Sequence, residues 1–238
     1  MTLVTTIISV IVILVVLYIV LSYYFKKATK LSSMKSATEK QEISASELPG
    51  NKNSSNYTYS TWFYVDDWNY RFGEQKTVLE RKSSNGQPNP SIELDSVENN
   101  IIISVTCYAD SKSADASGAN IVHSCIVRNF PLQSWVNITI SLYGRTLDIY
   151  MDGKLVRTCM LPGVAKTSTD ENILITPNGG FRGWTSKIEY WNDSTNPQQA
   201  YNIYKGGFGG SMLGSVFNKY GFKFSFMENN KERTSYEI

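Results

Sequence analysis

The sequence predicts an all-β fold: a two-sheet antiparallel sandwich of the jelly-roll kind, preceded by one transmembrane α-helix. Three observations carry that expectation. An uncharged apolar run, LVTTIISVIVILVVLYIVLSYYF, fills Leu3 to Phe25. From Tyr57 onward, short stretches alternate apolar and polar residues with the period of two that strands have. Gly, Asn, Asp and Ser punctuate those stretches, and the aromatic content reaches 13%, a mixture that suits strands and turns better than helices. The 238 residues leave room for one sizeable domain with appendages. Lys+Arg 23 against Asp+Glu 21 gives +2, too balanced for a polyanion-binding surface, so no nucleic-acid partner is expected.

Residues 1–25 are read as a membrane anchor. About 20 apolar residues in a helix span the ~30 Å hydrocarbon core of a bilayer. A cleaved signal peptide would have basic residues ahead of a shorter run and small residues at its end. Here nothing basic precedes the run, and it closes in YYFKK. Tyr23 and Tyr24 are placed at the membrane interface, and Lys26, Lys27 and Lys30 against anionic head groups of the bilayer. Lys26, Lys27, Lys30, Lys35 and Lys40 all follow the helix, so the positive-inside rule puts the C-terminal bulk on the cytosolic side. Residues 26–55 are polar, lack aromatics and carry no sustained apolar period, which predicts a tether.

The sandwich is expected over 56–207. YTYSTWFYVDDW sets Tyr57, Tyr59, Thr61, Phe63 and Val65 on one side of a first strand. TVLERK, SIEL, IIISVTCY and IVHSCIV follow as further strands. WVNITISLYG places Val136, Ile138, Ile140 and Leu142 on one face and Asn137, Thr139 and Ser141 on the other. TLDIYM and KLVRTCML flank Asp152-Gly153, a strong hairpin signal. WTSKIEYW is the last strand of the run. NPQQAYNIYKGG is the one helical candidate, with Pro197 tolerated in a first turn and Gly206 as a stop. Residues 208–238 form a glycine-rich extension ending in YGFKFSFM, where Phe222, Phe224 and Phe226 alternate with polar residues. That strand is expected to join a sheet of this domain or to dock a partner.

Candidate chemistry is sparse. Glu93, Asp95 and Glu98 stand in SIELDSVEN at the spacing some retaining β-glucanases use for nucleophile, helper and acid/base. Glu93 and Asp95 share a strand face, but Glu98 has the wrong parity, and Glu98-Asn99-Asn100 reads as a turn. With Ile92 and Leu94 inward, the carboxylates are accounted for as a solvated strand face, so no enzyme activity is expected. His123 is the sole histidine, which leaves little for a His-based zinc site or catalytic triad, and no cofactor is expected. Asp66, Asp67, Trp68 and Tyr70 form an acidic-aromatic loop suited to a ligand or protein contact. Two carboxylates fall short of the roughly six to eight oxygens calcium takes. Cys107, Cys125 and Cys159 are an odd set, not a disulfide framework, although Cys107 and Cys125 could face each other across a hairpin in an oxidising compartment. Sequons stand at Asn53, Asn56, Asn137 and Asn192.

Residues 135–207 resemble the concanavalin A-like, laminin G-type sandwich family. The likeness rests on WVNITISLYGRTLDIYMDGKLVRT, on GGFRGWTSKIEYW and on NPQQAYNIYKGG, with YTYSTWFYVDDWNY similar to the family's first strand. The resemblance implies a laminin G-like module that binds rather than hydrolyses. An anchored, cysteine-poor version with this extension is also similar to minor structural proteins of large cytoplasmic DNA viruses. That likeness implies a component of a virion's internal membrane and capsid layer, linking the bilayer to capsid or scaffold proteins through the sandwich and Phe222, Phe224 and Phe226. The alternative is a cell-surface or virion-surface lectin that takes a glycan on its rim loops. A membrane-tethered β-glucanase is the remote third reading.

Overall fold

The computed structural model describes residues 12–16, 29–30, 32–49, 56–108, 120–167, 170–209, 223–228 and 231–237. Two antiparallel sheets enclose one core. The strands are β1 (Thr29–Lys30), β2 (Lys35–Ser36), β3 (Gln41–Ile43), β4 (Tyr57–Asp67), β5 (Lys76–Lys82), β6 (Pro88–Leu94), β7 (Ile101–Cys107) and β8 (Ile121–Val127). They continue with β9 (Trp135–Tyr143), β10 (Thr146–Met151), β11 (Lys154–Met160), β12 (Ile173–Ile175) and β13 (Arg182–Trp191). One seven-stranded sheet runs β1-β13-β4-β9-β10-β11, with β2 also on β13; the six-stranded sheet facing it runs β3-β12-β5-β6-β7-β8.

The alternation that predicts these strands also fills the core. Tyr59, Phe63 and Val65 of β4, Val136, Ile138, Ile140 and Leu142 of β9, and Ile101, Ile103 and Val105 of β7 all point inward. Asp152 and Gly153 both take positive φ, 50° and 73°, as the tight β10–β11 hairpin requires. Gly183 lies at φ 151° against β4, where a Cβ would run into the Tyr64 carbonyl.

Two sequence expectations need correction here. Residues 26–55 are not simply a tether. β2 pairs with β13 and β3 with β12, so the chain crosses from one sheet to the other and closes that edge. Ala37 and Ile43 are buried in the core, and the Ala37 N–H donates to the Gly183 carbonyl at 2.9 Å. Two or three residues per strand are too few for a visible period, which is why the sequence reads as polar linker. The second correction concerns cysteines. Cys107 pairs in register with Ile121 and is a buried free thiol, whereas Cys125 is bonded to Cys159. Cys125 lies on β8 and Cys159 on β11, the outermost strands of the two sheets. The bridge therefore closes the sandwich at the edge opposite β2 and β3.

The outer face of the seven-stranded sheet is covered. Helix α1 (Pro197–Lys205), capped by Asn196, packs its Tyr204 on Trp62 of β4, and past its end Phe208 stacks on Trp135 of β9. Asn137, Thr139 and Ser141, polar and outward-facing, are buried beneath this cover. They are satisfied there: Asn137 Nδ2 donates to Ser60 Oγ, and Ser141 Oγ to the Thr195 carbonyl.

The appendages are less integrated. β14 (Lys223–Glu228) pairs with β15 (Lys231–Glu237) in a two-stranded sheet of its own, not with either sandwich sheet. Phe224 stands opposite Tyr236, and Phe226 opposite Thr234; Phe222 lies outside the described residues. Of the expected anchor, residues 12–16 are described and helical. The rest of Leu3 to Phe25, with Tyr23, Tyr24, Lys26 and Lys27, lies outside them. Among the described residues no helix is long and apolar enough to cross a membrane. Val12, Ile13, Leu14, Val15 and Val16 are each at least 52% exposed. Five successive helical residues point in every direction around the axis, so no side of this segment packs on the sandwich.

Candidate rim site

Antiparallel order brings three connections to one end of the sandwich: β4 to β5, β6 to β7, and β8 to β9. Between them lies a cleft of about 690 Å³ lined by Trp68, Val97, Glu98, Asn99, Asn100, Arg128, Asn129 and Leu132. That volume falls within the range of small-molecule pockets.

Each wall is held by its own hydrogen bonds. Trp68 follows β4, its indole N–H donating to the Val97 carbonyl at 3.0 Å and its ring meeting Phe130 edge-on. The Lys76 ammonium sits 4.7 Å from the Trp68 ring centroid, and burial holds that amine below its ordinary range. In the β6–β7 turn, Asp95 accepts the Val97 N–H at 3.1 Å and the Ser96 hydroxyl. The Val97 contact is the main reason its carboxyl titrates below the usual range. Glu98 accepts from Asn100 Nδ2 at 2.7 Å. Asn99 and Phe130 exchange two bonds, Asn99 Nδ2 to the Phe130 carbonyl and the Phe130 N–H to the Asn99 carbonyl, which pin the third loop to the second. Phe130 itself is buried against Phe63 and anchors that loop in the core.

Arg128 differs from its neighbours. It is exposed on the cleft wall, and among the described residues no hydrogen bond or ion pair ties its guanidinium. A planar donor array facing a polar cleft suits a carboxylate or a set of hydroxyls. Trp68 and Leu132 add apolar surface, and the asparagines add amide groups.

The acidic-aromatic loop splits apart in the fold. Trp68 lines the cleft, whereas Asp66 faces Arg182 at 4.0 Å, Asp67 accepts the Asn69 N–H, and the Tyr70 hydroxyl donates to the Gly179 carbonyl. Asp66 and Asp67 thus serve separate partners. Glu93, Asp95 and Glu98 are dispersed too. Glu93 stays on the β6 strand opposite Ile102, Asp95 is held in the turn, and only Glu98 reaches the cleft. Lys30, expected at the membrane, pairs as part of β1 with Glu189 of β13. Asn99, Asn100, Arg128, Asn129 and Leu132 are functional candidates that strand periodicity does not reveal, because they occupy turns whose convergence depends on sheet order. A turn signal after each of three strands was the available clue.

A family model for the concanavalin A-like lectin/glucanases superfamily matches residues 37–200. No curated protein matches the sequence. Among solved structures, the botulinum neurotoxin serotype D ligand binding domain in complex with N-acetylneuraminic acid is similar, at 13% identity and a TM-score of 0.55, over 76% of this chain and 44% of that one. The receptor binding domain of botulinum neurotoxin D gives 14% identity and 0.51, over 74% and 43%. The binding domain of botulinum neurotoxin DC in complex with SialylT gives 13% and 0.51, over 69% and 38%. The chain spans about two fifths of the length of these structures. At such identity the likeness is one of fold.

Proposed function

The chain belongs to the concanavalin A-like lectin/glucanases superfamily, and on that premise we propose that it is a membrane-tethered module that binds an acidic glycan in the rim cleft. The observation that carries this reading is Arg128, an exposed guanidinium beside Trp68 and three asparagines. A sugar carboxylate would pair with Arg128, hydroxyls with the amides, and the ring with the apolar wall. Solved neighbours of the same fold, in complex with N-acetylneuraminic acid and SialylT, add support. The capsid-linking role expected from the sequence, with its scaffold partners, has no comparable observation behind it. The uncharged run from Leu3 to Phe25 and the exposed helical residues 12–16 support the tether. The Cys125–Cys159 bridge supports a domain facing an oxidising compartment, opposite to the orientation expected from the lysines.

Titration calorimetry with sialyllactose and lactose tests the reading. Sialyllactose is expected to bind and lactose to bind more weakly. Arg128→Ala should lose about tenfold or more in affinity, the worth of one charge-assisted pair, with an unchanged melting temperature. If Arg128→Ala binds sialyllactose as wild type does, or wild type binds neither sugar, the cleft is not the site.

A further inference from the structure

The Cys125–Cys159 pair has a third neighbour. His123 precedes Cys125 by two residues on β8, so both side chains share one face of that strand. A ring nitrogen of His123 and the sulfurs of Cys125 and Cys159 all lie within 4.8 Å of one another. Cys159 arrives from β11, the outermost strand of the other sheet. The backbones at the two cysteines are held by their sheets: β8 pairs with β7 over its whole length, and β11 pairs with β10 in register from Arg157 to Met160, past a bulge at Val156. Arg157 Nη1 donates to the Ile126 carbonyl at 2.8 Å and ties the two strands across the same edge. Cys125 and Cys159 are buried while His123 is half-exposed, so the group opens to solvent on the imidazole side.

We propose that reduction of the bridge converts His123, Cys125 and Cys159 into a binding site for a soft divalent cation, Zn²⁺. Two thiolates and one imidazole are donors that zinc favours, at about 2.3 Å for sulfur and about 2.0 Å for nitrogen. Donors already within 4.8 Å of one another, on edge strands each held in its own sheet, are placed to converge on one ion by side-chain rotation. A fourth position is left towards solvent for a water molecule. The reductant is a dithiol. Its thiolate attacks one bridge sulfur, and the other bridge sulfur leaves as a thiolate. The reductant's second thiol then resolves the mixed disulfide, and the reductant departs as its own disulfide. Two electrons pass to the bridge, and the two thiol protons of the reductant end on Cys125 and Cys159. Zn²⁺ then displaces those two protons into solvent. Disulfide and zinc hold the same two strands, so this edge of the sandwich is closed in an oxidising compartment and in a reducing one.

The test uses the full chain in detergent micelles, carrying Cys107→Ala so that the remaining thiols are those of the site. The protein is reduced, freed of reductant under nitrogen, and titrated with Zn²⁺ and with Co²⁺ as a spectroscopic probe. The expected result is one ion per chain, a thiolate-to-cobalt charge-transfer band, and a higher melting temperature of the reduced protein with Zn²⁺. The oxidised protein should take up none. His123→Ala, at a half-exposed position, should weaken zinc at least tenfold, and Cys159→Ser should remove the band. Circular dichroism checks that each variant is folded, and His123→Asn replaces any His123→Ala sample that is not. Reduced protein that binds no zinc, or a folded His123 variant that binds it as tightly as the parent, overturns the proposal.

Discussion

Glu93 and Asp95 stand two residues apart and are driven in opposite directions by their surroundings. Burial on the outer face of β6 is the main cause that raises the Glu93 pKa; the Glu80 carboxylate adds to it and Lys82 opposes it. A raised carboxylate binds its proton more tightly folded than unfolded. Its contribution to stability therefore falls as pH rises from the ordinary carboxylate range through the raised value, and is least favourable at neutral pH. Glu93→Gln is expected to melt higher than wild type at pH 7, with the gap closing below about pH 4, where the carboxyl is protonated in both states. A variant that melts lower at pH 7 would mean that the carboxylate makes a contact worth more than its burial costs. Asp95 is the reverse case. The Val97 N–H holds its pKa down, so its contribution is present above the unfolded value and disappears only as pH falls through the lowered one. The turn that lines the cleft should keep its order through mild acid.

At the scale of elements, α1 shows how local chemistry serves the tertiary fold. Asn196 and Gln199 form a capping box: Asn196 Oδ1 accepts the Gln199 N–H at 2.9 Å, and Gln199 Oε1 accepts the Asn196 N–H at 3.0 Å. Pro197 occupies the first helical position, where no N–H partner is needed. A nine-residue helix is too short to persist alone. It persists because Tyr204 stacks on Trp62, and because Ala200 is buried. Asn196→Ala should cost about 1 kcal/mol and lower the melting temperature by about 2–4 °C, read in a thermal melt. A drop no larger than that of an exposed control substitution would show that packing, not the cap, positions the helix. The same cover accounts for the burial of Asn137, Thr139 and Ser141 on the outward face of β9 although all three are polar.

For the whole molecule, what matters is where the two sheet edges close and, under the proposed tether, which side of a membrane the domain faces. Chain crossing through Ala37 closes one edge and Cys125–Cys159 the other. If the domain faces the secretory lumen, Asn192, the exposed sequon among the described residues, is expected to carry a glycan. Asn137 is fully buried, with Nδ2 bonded to Ser60 Oγ and the Thr61 carbonyl, so a glycan there is incompatible with the folded sheet. Full-length protein from secretory cells should therefore shift on deglycosylation, and Asn192→Gln should diminish the shift. No shift at all would place the domain in the cytosol, where the reduced form of the edge site becomes the relevant one.

The sequence by itself determined the alternating strands from Tyr57 onward, the Asp152-Gly153 hairpin and the Pro197-led helix. Each of these is a local matter: a period of two, a dipeptide suited to positive φ, a cap beside a proline. It also marked Trp68 as a candidate ligand residue, because an aromatic in a polar loop stands out without any knowledge of its neighbours. Tertiary structure alone decided the rest. Strand order carried Asn99, Arg128 and Leu132 to the same rim as Trp68 and sent Asp66 and Tyr70 elsewhere. It also joined Cys125 to Cys159 across 34 positions, instead of to Cys107 on the neighbouring strand. The physical reason is range. Periodicity and turn chemistry act over a few residues, whereas pairing between distant strands depends on which apolar faces can be buried together, and a single short segment such as Gln41–Ile43 does not record that in its own composition.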